Sequence, residues 1–214
     1  MIRPALAALA VALLPVSLAQ AEELSYSVMA NGEIVGSLKA DTRGASTIVD
    51  YYVDNNGRGP KHQEQITLDD KGIPVSWTIH GTSLMGGSVD EAWRWSDGEG
   101  SWQSQADSGK ADGKNTPLYI ANDSSPWAAG IYARAALADD DQSVPVLPSG
   151  SVSVVKLQDT TIGDMPVGVY RLDGIDLGSQ LLMLDGDGDL FATFSATGIT
   201  IRTGYEEKAP EILT

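Results

Sequence analysis

Cysteine is absent from this sequence, which removes disulfides, thiolate-bound zinc, iron–sulfur clusters and cysteine nucleophiles from consideration. Histidine is almost absent. His62 and His80 are the only two, 18 residues apart, with no His-x-His and no His-Glu-x-x-His. A hydrolytic zinc site needs three protein ligands around an open position, and two lone histidines would need an added carboxylate to build one, for which no motif speaks. Basic residues are scarce as well: 14 Lys and Arg face 29 Asp and Glu, for a formal charge of −15. Clustered cations are what hold phosphate, so a nucleic-acid partner is not expected, and neither is adhesion to anionic lipid. No Gly-x-Ser-x-Gly elbow occurs, because Gly81-Thr82-Ser83-Leu84-Met85 breaks the pattern at its last position. Gly109-Lys110 lacks the upstream glycine and following hydroxyl of a phosphate loop, and Gly186-x-Gly188 lacks the third glycine of a dinucleotide site. No cofactor is therefore expected.

What is present is an ordinary globular composition, 42% hydrophobic and 20% charged. Residues 1–21 read as a secretory signal peptide. Arg3 supplies the positive start, Ala5–Leu18 the apolar run, and Ala19-Gln20-Ala21 the small-x-small cleavage pattern. The run falls short of the roughly 20 residues that a membrane-spanning helix needs. The expectation is a periplasmic or secreted chain with no membrane contact once the leader is removed. A single β-rich domain is expected over 22–205, with 206–214 as a tail or linker.

Strand signals dominate that body. Asn31-Gly32 lies between Leu24–Ala30 and Glu33–Ala40, and this pair favours a two-residue type I′ turn, where both central residues need positive φ. Thr47–Val53 and His62–Leu68 follow. Then Ile73, Val75, Trp77 and Ile79 alternate with polar neighbours, and Val89, Glu91, Trp93 and Trp95 share one face of the next strand. After Pro148-Ser149-Gly150 the strands resume at Val152–Leu157, Val167–Leu172, Gln180–Leu184, Leu190–Phe194 and Ile199–Arg202. The spacing predicts an antiparallel meander, a curved sheet or partly open barrel. Ser104–Pro117, polar and rich in Gly, Asp and Lys, reads as a mobile loop. Asp185-Gly186-Asp187-Gly188-Asp189 begins like a calcium loop, but Ala196 occupies the position of the bidentate Glu and the flanks are strand-like. It reads as a β-turn, with weak surface calcium binding as the alternative.

One helix, about 125–138, interrupts the strands. Ser125 stands where an N-cap is expected and Pro126 suits the first helical position. Trp127–Leu137 is apolar nearly all round, with Arg134 its only charge, so the helix is expected to be buried. Trp127 and Ile131 share a face, and Trp77 is the expected neighbour across the sheet. Asp139-Asp140-Asp141 would oppose the negative helix end, so the helix is expected to stop by Ala138. Trp77, Trp93, Trp95 and Trp102 fall on neighbouring strands, and two roles stay open for them. They fill the core of a domain with only two Phe, or they line a cavity for an apolar or sugar-like ligand.

A set of segments in fixed order carries a resemblance. These are Asn55-Asn56-Gly57-Arg58-Gly59-Pro60, Ser125-Pro126-Trp127 with Tyr132-Ala133-Arg134-Ala135, and Leu147-Pro148-Ser149-Gly150. Leu184-Asp185 with Gly188-Asp189-Leu190-Phe191-Ala192 and the closing Gly204-Tyr205-Glu206 complete it. The order resembles the N-terminal, non-catalytic β-rich region that precedes the metal-dependent barrel in exported bacterial amidohydrolase-family proteins. That resemblance implies an accessory or scaffolding module whose partner is a C-terminal or separate amidohydrolase barrel. The metal ligands of that family sit in the barrel, so no catalytic or metal-binding residue is carried onto this chain. The alternative is a stand-alone periplasmic binding protein holding an apolar small molecule in a curved sheet. A hydrolase using His62 or His80 is the third reading.

Overall fold

The computed structural model describes residues 21–196 and 198–213; the signal peptide expected over 1–21, apart from Ala21, lies outside them. Strands β1 (Glu22–Ala30) and β2 (Glu33–Arg43) form the expected hairpin, with Ala30 opposite Glu33 and both Asn31 (φ 52°) and Gly32 (φ 83°) left-handed. The meander continues through β3 (Ser46–Val53), β4 (Lys61–Leu68), β5 (Pro74–Thr82), β6 (Ser88–Ser96), β7 (Glu99–Gln103) and β8 (Ser108–Asp112). Each strand pairs antiparallel with the one before it. Strand β8 corrects the expectation of a mobile loop over 104–117. Gly109 provides the reason, since a Cβ there would lie 2.2 Å from the Trp102 ring, so the glycine lets the indole lie flat across the strand.

The second half runs β9 (Leu118–Tyr119), α1 (Trp127–Leu137), β10 (Ser143–Leu147), β11 (Ser151–Ile162), β12 (Met165–Asp173), β13 (Gln180–Asp185), β14 (Leu190–Ser195) and β15 (Gly198–Arg202). β15 pairs with β1 and joins the two meanders into one 15-stranded sheet with β8 at one edge and β9 at the other. All pairs are antiparallel except β9 and β10, which run parallel because α1 is the crossover between them. The fold is thus mainly β, one open curved sheet with an internal helix, as expected.

Connectivity forces the curvature. Laid flat, fifteen strands would be roughly 65–70 Å wide, yet residues 113–117 alone link the two edges and reach at most about 22 Å. The sheet therefore curls until Tyr119 on one edge strand stacks against Trp93 on β6, ring centroids 5.2 Å apart. Helix α1 fills the trough. Nine of its residues are buried, among them Trp127, Ile131, Tyr132 and Ala136. Tyr26 meets Trp127 edge-on at 6.1 Å, while Trp77 packs on Tyr132 at 6.0 Å rather than on Trp127. The helix ends at Leu137 as expected, but Ser125 is not its cap: Pro126 takes that position and no side chain caps the helix.

At the end of the trough beneath the helix C-terminus, Arg134 donates to the Gly188 carbonyl (3.0 Å) beside Asp189. Asp185 accepts the amides of Asp187 and Asp189 on one oxygen and Arg202 on the other at 2.7 Å. The Asp-Gly run is thus a turn whose leading carboxylate is already engaged. Strands β13 to β15 are apolar on both faces, because their outer face is covered too. A 3-10 turn (Glu206–Lys208) and α2 (Ala209–Ile212) dock there, so the segment expected as a tail or linker is packed against the domain. Tyr205 lies edge-on to Phe191 at 5.0 Å, Ser27 donates to Glu206 at 2.6 Å, and Ala209 is buried. No helix among the described residues is long and apolar enough to cross a membrane.

Candidate functional site

The N-terminus of α1 opens toward the opposite end of the trough, where the β3–β4, β5–β6, β7–β8, β10–β11 and β12–β13 connections gather. They surround a cavity of about 610 Å³, within the usual range for small-molecule sites. Its floor is His62 on β4 together with Ser125, Ala128, Ala129 and Tyr132 from the start of α1 and the loop before it. Apolar walls come from Pro60, Leu84, Ile120 and Ile175, and carboxylates from Asp107, Asp123 and Asp176. Neither lysine nor arginine lines it.

Two buried glutamates build this floor. Strand alternation points Glu64 inward with His62 and Ile66, and Glu91 inward with Val89 and Trp93. An ion taken out of water costs several kcal/mol unless its oxygens are hydrogen-bonded, and here each carboxylate is saturated. Glu64 accepts from Trp77 Nε1 (2.8 Å), the Ser125 amide (2.6 Å) and His62 Nε2 (3.3 Å). Glu91 accepts from the Tyr119 hydroxyl (2.7 Å) and the amides of Asn122 (2.8 Å) and Asp123 (2.9 Å). Together they anchor the loop 119–125 and fix where α1 begins. Burial pushes the Glu91 carboxyl above the usual carboxylate range, against the hydrogen bonds that favour its charge. Burial, reinforced by the negative charge of Glu64, raises the Tyr51 phenol to about 12.

Two polar atoms on the floor stand apart from this network. His62 Nδ1 and Ser125 Oγ are buried, and among the described residues neither has a hydrogen-bond partner. His62 as a whole is 7% exposed and Ser125 2%. His80 is elsewhere. It faces outward across from Gln63, 3.0 Å from exposed Asp90, so the two histidines lie on opposite faces of the sheet. Among the described residues, no group of three His, Asp or Glu is arranged to hold a metal ion.

The four tryptophans proposed as a ligand wall are brought together but away from this cavity. Trp77, Trp93 and Trp102 form a cross-strand row, with Trp95 stacked on Trp93 at 6.1 Å. Trp77 and Trp93 are fully buried, donating to Glu64 and to the Pro74 carbonyl (2.8 Å), whereas Trp95 and Trp102 are half-buried. None of the four lines the 610 Å³ cavity. Glu64, Glu91 and Ser125 are what the sequence reading missed as site builders. The available signal was an acid in phase with buried apolar residues, which for Glu91 was visible on the Val89–Trp95 face.

Fold and site define a class: a mainly antiparallel domain, one open curved sheet with an internal helix and a ligand-sized cavity at the helix N-terminus. Among solved structures, a beta-barrel-like protein of a domain of unknown function, DUF1849, from Brucella abortus is similar. It aligns with a TM-score of 0.49 and 10% identity over 85% of this chain and 94% of that one. No family profile and no curated protein matches the sequence.

Proposed function

We propose that this chain is an exported, non-catalytic binding domain that holds a small, largely apolar molecule in the cavity at the N-terminus of α1. The observation that carries this reading is the cavity itself: about 610 Å³, walled by Pro60, Leu84, Ile120 and Ile175, with two unpartnered buried polar atoms on its floor. Apolar walls with a few convergent polar groups are how ligand pockets combine affinity with orientation. Export rests on the leader-like residues 1–21. The test is displacement titration with 1-aminoanthracene, a neutral fluorescent probe of apolar cavities. A saturable signal at one site per chain, abolished by Ala128→Trp, which fills the floor, is the expected result. Absence of saturable binding would remove the reading.

A second reading, the accessory module of an amidohydrolase barrel, draws support from the exposed apolar residues Leu84, Met85 and Leu177 on two of the loops around the cavity mouth. Native mass spectrometry of this chain mixed with such a barrel tests it. A 1:1 complex lost in Leu84→Glu/Leu177→Glu is expected, and no complex would end it.

A further inference from the structure

The open sheet leaves the edge of β8 uncovered. This strand pairs with β7 on one side, and among the described residues no backbone group pairs with it on the other. The phase of the β7–β8 hairpin fixes which groups face outward. Ser104 donates to the Asp107 carbonyl and Gly113 to the Gly98 carbonyl, so the hydrogen-bonded pairs with β7 fall at Gly109 and Ala111. The N–H and C=O of Ser108, Lys110 and Asp112 therefore point away from the sheet. The side chains of these three residues are exposed, on the face opposite to Gly109 and the Trp102 ring.

Charge on that outer face is unbalanced. Glu99 and Asp112 stand directly opposite each other, in a non-hydrogen-bonded pair, where side chains come closest. Like charges so placed repel. Neither carboxylate has a cation among the described residues, and Lys110, two residues from Asp112 on the same face, has no acid. A lysine on a short edge strand is by itself a device against pairing. Here it is followed two residues later by an acid, and that order is self-complementary.

We infer that β8 is the contact of a symmetric dimer, pairing antiparallel with β8 of a second copy about Ala111. In that register Lys110 faces the partner's Asp112, and the two-fold axis sets Asp112 against the partner's Lys110. These are the residues whose backbone groups point outward, so each pair exchanges both of its hydrogen bonds with no shift in the strand. The partner's Lys110 also enters the cross-strand row of Glu99 and Asp112, and the repelling acids gain the cation they lack. Centring the pair on Lys110 or on Asp112 instead would set like charges opposite each other. A chain of formal charge −15 repels its own copies elsewhere, so the contact is local, small and readily reversible.

Sedimentation velocity of the full chain in about 0.1 M salt tests this. A reversible monomer–dimer equilibrium is expected between about 10 μM and 1 mM. Lys110→Asp sets carboxylates opposite each other at both pairs, and Asp112→Lys sets ammonium groups there. Each alone should weaken dimerisation roughly tenfold or more. Mixed in equal amounts, the two variants match at both pairs, so the mixture should show a higher mean mass than either variant at the same total concentration. The double exchange Lys110→Asp/Asp112→Lys should dimerise again. Both positions are exposed and support no contact within the fold, and unchanged circular dichroism verifies that each variant is folded. A chain that stays monomeric to the top of the concentration range overturns the inference. A dimer that both single exchanges leave intact, or a mixture with no gain in mass, overturns it as well, because the contact then lies elsewhere.

Discussion

Glu91 shows how one residue can carry both a structural role and a cost. Its three hydrogen bonds hold loop 119–125, yet its charge is buried, and burial raises its pKa above the ordinary carboxylate value of 4.5. The folded state therefore binds this proton more tightly than the unfolded chain. Stability contributed by protonating Glu91 is present at low pH and is lost as pH rises from about 4.5 through the raised folded value. Glu91→Gln cannot take up that proton. It also turns an amide donor toward one of the two loop N–H groups, which bind different carboxylate oxygens, so it should cost about 1–3 kcal/mol at pH 7. The difference in unfolding midpoint between the two proteins should widen as pH is lowered from 7 toward 4.5. A difference that narrows would show that Glu91 ionises more easily in the fold than outside it. Ser125 is the converse case: its buried hydroxyl has no hydrogen-bond partner among the described residues, so Ser125→Ala should leave the unfolding midpoint nearly unchanged.

At the scale of elements, turn chemistry and interior glycines set the register. Asn31-Gly32 closes the first hairpin with both residues left-handed, and a Cβ at Gly32 would meet nothing within 4 Å. The cost of Gly32→Val is therefore conformational rather than steric, about 1–2 kcal/mol for placing a β-branched residue at φ 83°. Urea unfolding followed by circular dichroism measures it, and an unchanged midpoint would place the strain elsewhere. Gly100 and Gly109 act differently. They sit where the rings of Trp93, Trp95 and Trp102 cross the neighbouring strands, and a Cβ at either would lie within 3 Å of an indole. These glycines admit a cross-strand row of bulky rings into a strongly curved sheet. Ser108–Asp112 carries no apolar alternation of its own and packs on Trp102 through Gly109, which is why β8 does not show in the sequence. The helix does, because Trp127–Leu137 carries one charge in eleven residues. Only its cap differs from expectation: Ser125 gives its amide to Glu64, and its buried hydroxyl has no hydrogen-bond partner among the described residues.

On the scale of the whole molecule, two apolar cores lie on opposite faces of one sheet. The larger, inside the trough, is filled by α1; the smaller, outside β12 to β15, is covered by residues 205–212. Because the contacts of the second core do not pass through the helix, the two covers should come loose separately. Ala209→Glu places a charge at a buried position and should release the C-terminal cover. Hydrogen exchange would then show rapid loss of protection over 206–212, while α1 amides keep theirs. Simultaneous loss in α1 would mean that the cores form one cooperative unit.

Local chemistry sufficed to determine the class of this protein: alternating strands, one apolar helix and the first hairpin turn. It also put Glu91 on an apolar face. Tertiary structure alone decided where that glutamate finds its donors, since Asn122 and Asp123 lie about thirty residues further on and meet it only when the sheet curls around α1. The same closure brings His62 and Ser125 to one cavity floor and sends His80 to the opposite face. Periodicity records which side of a strand a residue occupies. Which distant segment it will face there depends on the long-range pairing of β1 with β15 and on the short link between the two sheet edges, and neither leaves a local pattern.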